Sequence, residues 1–138
     1  MSARKMLFTV FTAISFGLIG CGQSKVRTYP VAGKVLIGGK PVAHAIVVLH
    51  PDGGEPNADR PRATTAADGS FTIQTTDGQE GAPAGSYRIT VEQWLASARA
   101  DEGPSNRLPA KYAKPESSGL TATVVAGPNE LQPIVLKK

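Results

Sequence analysis

From Tyr29 to Leu136 the apolar residues come in short runs, most of them alternating with polar ones, and Gly or Pro stands between the runs. A period of two broken every few residues by turn formers excludes long helices and describes strands with one face turned to a core. With 15 Gly and 11 Pro in 138 residues, turns are frequent enough for many short strands. The expected fold is therefore all-β.

Strand by strand, the first is expected over about Tyr29 to Ile37, where Val31, Gly33 and Val35 alternate with Ala32 and Lys34. Gly38-Gly39 supplies the positive φ of a tight hairpin turn. The second strand, about Ala43 to Leu49, is nearly continuously apolar, as a central strand is. Its core face is Ala45, Val47 and Leu49, because the opposite face would bury His44 and His50. Pro51 to Pro61 is a polar loop. Arg62 to Ala66 and Ser70 to Thr75 form a hairpin around Asp68-Gly69, with Phe71 and Ile73 pointing inward. After a loop from Asp77 to Ala84, Gly85 starts a strand through Glu92 whose Tyr87, Ile89 and Val91 face the core. Trp94 to Glu102 lacks alternation and is expected to make one or two helical turns before Gly103-Pro104. Leu108 to Gly119 is irregular. A last pair of strands, about Leu120 to Val125 and Leu131 to Leu136, is joined by Gly127-Pro128-Asn129, and Pro133 marks the final one as an edge strand or a bulge.

The N-terminus is different in kind. Arg4 and Lys5 precede an apolar run from Met6 to Leu18. At about 1.5 Å per residue a helix of that length covers about 20 Å, short of the ~30 Å hydrocarbon core. That is the pattern of a secretory signal segment rather than a membrane span. Leu18-Ile19-Gly20-Cys21 closes it and resembles the lipobox of bacterial lipoprotein precursors. The resemblance implies recognition of Leu18, Ile19 and Gly20 by the signal peptidase, removal of residues 1–20, and lipidation (a diacylglyceryl and usually an amide-linked palmitate-type chain) on Cys21. One acyl chain alone binds a membrane marginally, at about 0.8 kcal/mol per buried CH₂, so several chains make the anchor effectively permanent.

Cys21 is the single cysteine, so no disulfide can form within the mature chain and the fold rests on its own core. Residues 21–28 read as a polar tether and residues 29–138 as one domain. No Asp follows Cys21. In such lipoproteins an Asp there favours inner-membrane retention, so the expected location is exported and membrane-anchored, the outer membrane favoured over the inner. The formal charge of +4 falls to near +2 without Arg4 and Lys5. The remaining basic residues are scattered and form no nucleic-acid footprint.

Within the domain, Val31-Ala32-Gly33-Lys34-Val35, Gly39-Lys40-Pro41, Ala45 to Leu49 with Pro51, the Asp68-Gly69-Ser70-Phe71 turn and Pro83 through Val91 together resemble carboxypeptidase regulatory-like domains. Leu108-Pro109-Ala110-Lys111-Tyr112 and the run from Ser118 through Val124 to Gly127 are similar to a subgroup of exported bacterial lipoproteins carrying that domain. The order and spacing of these turns over residues 29 to 136 make the likeness. It implies a single seven-stranded antiparallel transthyretin-like (prealbumin-like) β-sandwich. It also implies a non-catalytic module, for which a structural or protein-interaction role in the envelope is expected, with no cofactor.

At about 3.3 Å per residue His44 and His50 stand about 20 Å apart on one strand and cannot share a metal with Zn–N bonds of about 2.1 Å. The same separation counts against an iron site of two tyrosines and two histidines. The transthyretin-like hydrolases of 5-hydroxyisourate end in Tyr-Arg-Gly-Ser, whereas this chain ends Val135-Leu136-Lys137-Lys138. No nucleophile elbow is present, and Asp52, Asp59, Asp68 and Asp77 do not form an EF-hand loop. Metal ligands and catalytic residues are therefore expected to be none. Trp94 and Tyr112 flank the longest insertion. Residues 93–119 are either a lid packed over one end of the sandwich or, through these aromatics, the surface of a carbohydrate-binding module; a small enzyme is the least favoured reading. The partners expected are the membrane through Cys21 and an envelope protein or glycan.

Overall fold

A computed structural model describes residues 25–138. The signal segment, the lipobox Leu18-Ile19-Gly20 and Cys21 lie outside the described residues, as does the first part of the tether. Seven strands of three or more residues follow: β1 (Val31–Ile37), β2 (Ile46–Pro51), β3 (Arg62–Thr64), β4 (Ser70–Thr72), β5 (Gly85–Glu92), β6 (Leu120–Val124) and β7 (Ile134–Leu136). The protein is all-β, and its described helices are a 3₁₀ turn at Ala110–Ala113 and one α-turn at Pro115–Ser118.

One sheet has the order β6-β5-β2-β3, antiparallel throughout. In the other, β1 is central, flanked by β4 on one side and by β7 and Asn129–Glu130 on the other. Both sheets contribute to one apolar cluster. Val31 and Val35 of β1, Phe71 of β4 and Leu136 of β7 join Val47 and Leu49 of β2, Ile89 and Val91 of β5 and Val124 of β6. The alternation of the sequence reappears here: Ala45, Val47 and Leu49 are buried, while His44 and Ile46 are exposed. Gly38 and Gly39, both at positive φ, turn β1 back onto Lys40–Pro41.

Three expectations are corrected. The Asp68-Gly69 turn forms, with Asp68 Oδ1 accepting from the Ser70 amide at 3.0 Å and hydroxyl at 2.6 Å. Its two arms nevertheless join different sheets, β3 pairing with β2 and β4 with β1. Backbone hydrogen bonds between the arms are confined to the bridge between Arg62 and Gln74 and the closing bonds around Ala66. A two-stranded apolar arm has two faces to bury, and parting the arms lets each lie against a different sheet.

The last strands are likewise in different sheets, and β7 is parallel to β1 rather than antiparallel. Asn129 makes the crossing. Its side chain bonds the Val125 amide at 2.9 Å and the carbonyls of Val125, Gly127 and Pro30 at 3.0, 2.8 and 3.2 Å. Its backbone amide donates to the Pro30 carbonyl as well. The chain thus arrives beside the start of β1 and runs alongside it. Pro133 falls in the gap between Glu130 and Ile134, where the ladder is interrupted, as a residue without an N–H requires.

Trp94 to Glu102 forms no helix. Trp94–Leu95 pairs with Ser105–Asn106, so the segment is the arm and tip of a small hairpin. The Asn106 side chain decides this. Its Oδ1 accepts from the amides of Gln93 at 2.9 Å and Leu108 at 3.1 Å, holding the two arms together.

Candidate functional site

The tether and the Trp94 hairpin leave the sheets at opposite ends. Thr28–Tyr29 pairs with Ala82–Pro83, immediately before β5 begins. From Gly85 the chain runs extended through β5 to Trp94, about 30 Å further on at about 3.3 Å per residue.

At the far end Trp94 is 51% exposed, and Leu95 beside it is 38% exposed. The indole is held in place: its Nε1 donates to Glu92 Oε2 at 2.8 Å. Glu92 is opposite Ile46 on β2, which is also exposed, and Trp94 is opposite Asn106. Gln93, between them, donates from Nε2 to the Ala43 carbonyl at 2.7 Å and ties the hairpin to the β2 approach. The second aromatic residue singled out from the sequence is elsewhere. Tyr112 is buried, its hydroxyl accepts from the Lys137 amide at 2.8 Å, and Lys111 Nζ lies 4.9 Å from its ring centroid. It packs as part of the core and offers no open face, so the two aromatics do not form a joint platform. Glu92 and Asn106 were not singled out from the sequence. Glu92 carried a signal in its i, i+2 spacing from Trp94, whereas Asn106 reaches the site only through a turn that sequence pattern does not specify.

His44 sits at φ 55° in the turn before β2, exposed, its amide donating to the Thr65 carbonyl at 3.0 Å. His50 lies further along, half-buried, with Nε2 2.9 Å from Thr90 Oγ1. Burial and the nearby Arg60 guanidinium hold its imidazole below the ordinary pKa, with Glu116 acting the other way. His50 lines a cleft of about 380 Å³ under the 52–60 loop, together with Arg60, Arg88 and Pro115. Arg88 in that cleft is paired with Asp52 at 3.1 Å. A larger groove of about 810 Å³ lies where the tether enters, lined by Val26, Ala58, Pro83 and Tyr87. The loop acids serve the loops themselves. Asp77 accepts from the Thr75 hydroxyl and from Gln79 Nε2, and these bonds lower its carboxyl pKa. Asp59 accepts from the Thr76 amide at 3.2 Å. Among the described residues no group of three or more His, Cys, Asp or Glu side chains could hold a metal ion. Among them, too, no helix is long and apolar enough to cross a membrane.

No protein-family model matches the chain, and no curated protein or solved structure is found similar to it.

Proposed function

We propose that the protein is a lipid-anchored envelope module, held by lipidated Cys21 and a tether through residue 28, whose transthyretin-like sandwich binds a protein partner by strand addition and performs no catalysis. The seven strands in two sheets around one core support the transthyretin-like reading. The observation that carries the binding reading is the edge of β6. Natural sheets blunt their edges with charge, proline or brevity. The edge strand β3 has three residues, starts on Arg62 and follows Pro61. β4 also has three, and the β7 edge is cut by Pro133. β6 has five residues, Leu-Thr-Ala-Thr-Val, and no charged residue or proline within it. Charge is absent from Ser117 to Asn129. Its outer edge has no strand beside it among the described residues. Such an edge accepts an extended segment through main-chain hydrogen bonds.

Cross-linking in intact cells followed by mass spectrometry tests this, with Thr121→Lys/Thr123→Lys as the blunted form. A defined protein linked beside β6 and lost from the blunted form is the expected result; cross-links that ignore β6 would sink the strand-addition reading. The anchor is tested separately. Cys21→Ser protein should leave the membrane fraction, and its retention through high-salt and carbonate washes would refute lipidation as the anchor.

A further inference from the structure

The far-end hairpin brings Glu92 and Asn106 together with the exposed Trp94. We infer that Trp94, Glu92 and Asn106 form a preorganised saccharide platform that stacks one pyranose ring of an envelope glycan. The site is separate from the β6 edge, and the choice of an envelope glycan rests on the proposed location in the envelope.

Three features of the site fit a sugar. The first is an exposed aromatic face. An indole exposed by half presents a flat apolar surface with a negative π-face, on which the C–H face of a pyranose stacks. The second is rigidity. The Nε1–Glu92 bond and the two-residue ladder to Ser105–Asn106 fix the ring before any ligand arrives, so little side-chain freedom remains to be lost on binding. The third is the polar surround. Asn106 spends its Oδ1 on the amides of Gln93 and Leu108, and its Nδ2 makes no hydrogen bond to the protein among the described residues. Glu92 gives one oxygen to the indole and keeps the other as an acceptor. An aromatic face with a free amide donor across the ladder and a carboxylate acceptor at its edge matches the alternating apolar faces and hydroxyl rims of a sugar. A protein hot spot differs, being ringed by contacts that exclude water around a desolvated pocket.

The site has its own reporter, because Trp94 is the single tryptophan of the chain. Full-length protein in detergent is titrated with chitohexaose while indole emission is followed, and retention on isolated bacterial peptidoglycan is measured in parallel. The expected result is a saturable blue shift with half-saturation near or below ~1 mM. Trp94→Ala should lose about three- to tenfold in retention or affinity, an aromatic contact's worth. Trp94→Phe should keep part of the binding. Asn106→Asp, which preserves the acceptor that holds the hairpin but removes the free donors, should weaken binding several-fold with the hairpin intact by circular dichroism. No spectral change with chitohexaose together with no retention on peptidoglycan would overturn the proposal. So would binding that Trp94→Ala leaves unchanged.

Discussion

The ring of Phe71 lies against the α-carbon of Gly33, its cross-strand partner, so closely that a β-carbon there would come within 2.5 Å of Cζ. Gly33 stands between Val31 and Val35 on the core face of β1, and its missing side chain is the space the ring fills. Gly33→Ala should therefore overpack the core and cost about 1–3 kcal/mol, read as a lower urea midpoint with unchanged slope. In the Gly33→Ala/Phe71→Leu double variant the two losses should be less than additive, because they act on one contact.

Thr65 fastens the turn that precedes β2. Its buried hydroxyl donates to the Val42 carbonyl at 2.6 Å and accepts from the Ala45 amide at 2.9 Å. Thr65→Val keeps the shape and strands two buried backbone groups, at about 1–3 kcal/mol for each left unsatisfied. Thr65→Ser, which keeps the hydroxyl, should be clearly milder in the same thermal or urea titration.

His50 gives stability a pH dependence of definite sign. Its folded pKa lies below 6.5, with burial the first cause and Arg60 the second. The unfolded chain then binds the proton more readily, so this contribution is present above about pH 6.5 and fades as pH falls through the folded value. His50→Gln should flatten the stability profile just below about pH 6.5. A second decline should follow in acid, below the ordinary carboxylate range. There Asp68, lowered by its bonds to Ser70, and Asp77, lowered by Thr75 and Gln79, take up protons. That lower step should survive in His50→Gln.

Tyr112→Phe removes the hydroxyl that accepts from the Lys137 amide. The expected loss is about 0.5–1.5 kcal/mol, with earlier amide exchange at the C-terminal end of β7. Because Tyr112 is buried, its substitution should leave peptidoglycan retention as in the parent, whereas Trp94→Ala should not.

The strands with clean alternation were legible in the sequence. Tyr87, Ile89 and Val91 of β5, and Ala45, Val47 and Leu49 on the second strand, announce their buried face because burying one side of a sheet imposes a period of two. Turns with their own chemistry were legible too, Gly38-Gly39 and Asp68-Gly69 among them. What did not show was which sheet each strand joins. The Asp68-Gly69 turn looks the same locally whether its arms pair fully or part to opposite sheets. The parallel course of β7 depends on Asn129 bonding Pro30, nearly the whole domain away in sequence. At the candidate site Trp94 stood out by its chemistry, but its separation from Tyr112 follows from the burial of one ring and the exposure of the other, which aromatic identity does not specify.

The pairing of β1 with β7 also governs when the domain can be completed. These strands are the first and last of the seven, so the register Val35 to Ile134 joins the two ends of the domain. Closing so long a loop is slow relative to local turns, and contacts of this separation are the late, rate-limiting kind. A chain emerging N-terminus first holds Val35 to Ile37 of β1 without their parallel partner until β7 has been delivered. Premature termination before Ile134 would leave Val35 to Ile37 of β1 without a partner on that side. Strand β7 thus closes the sheet that β1 opens, and the order of synthesis sets when that sheet is whole.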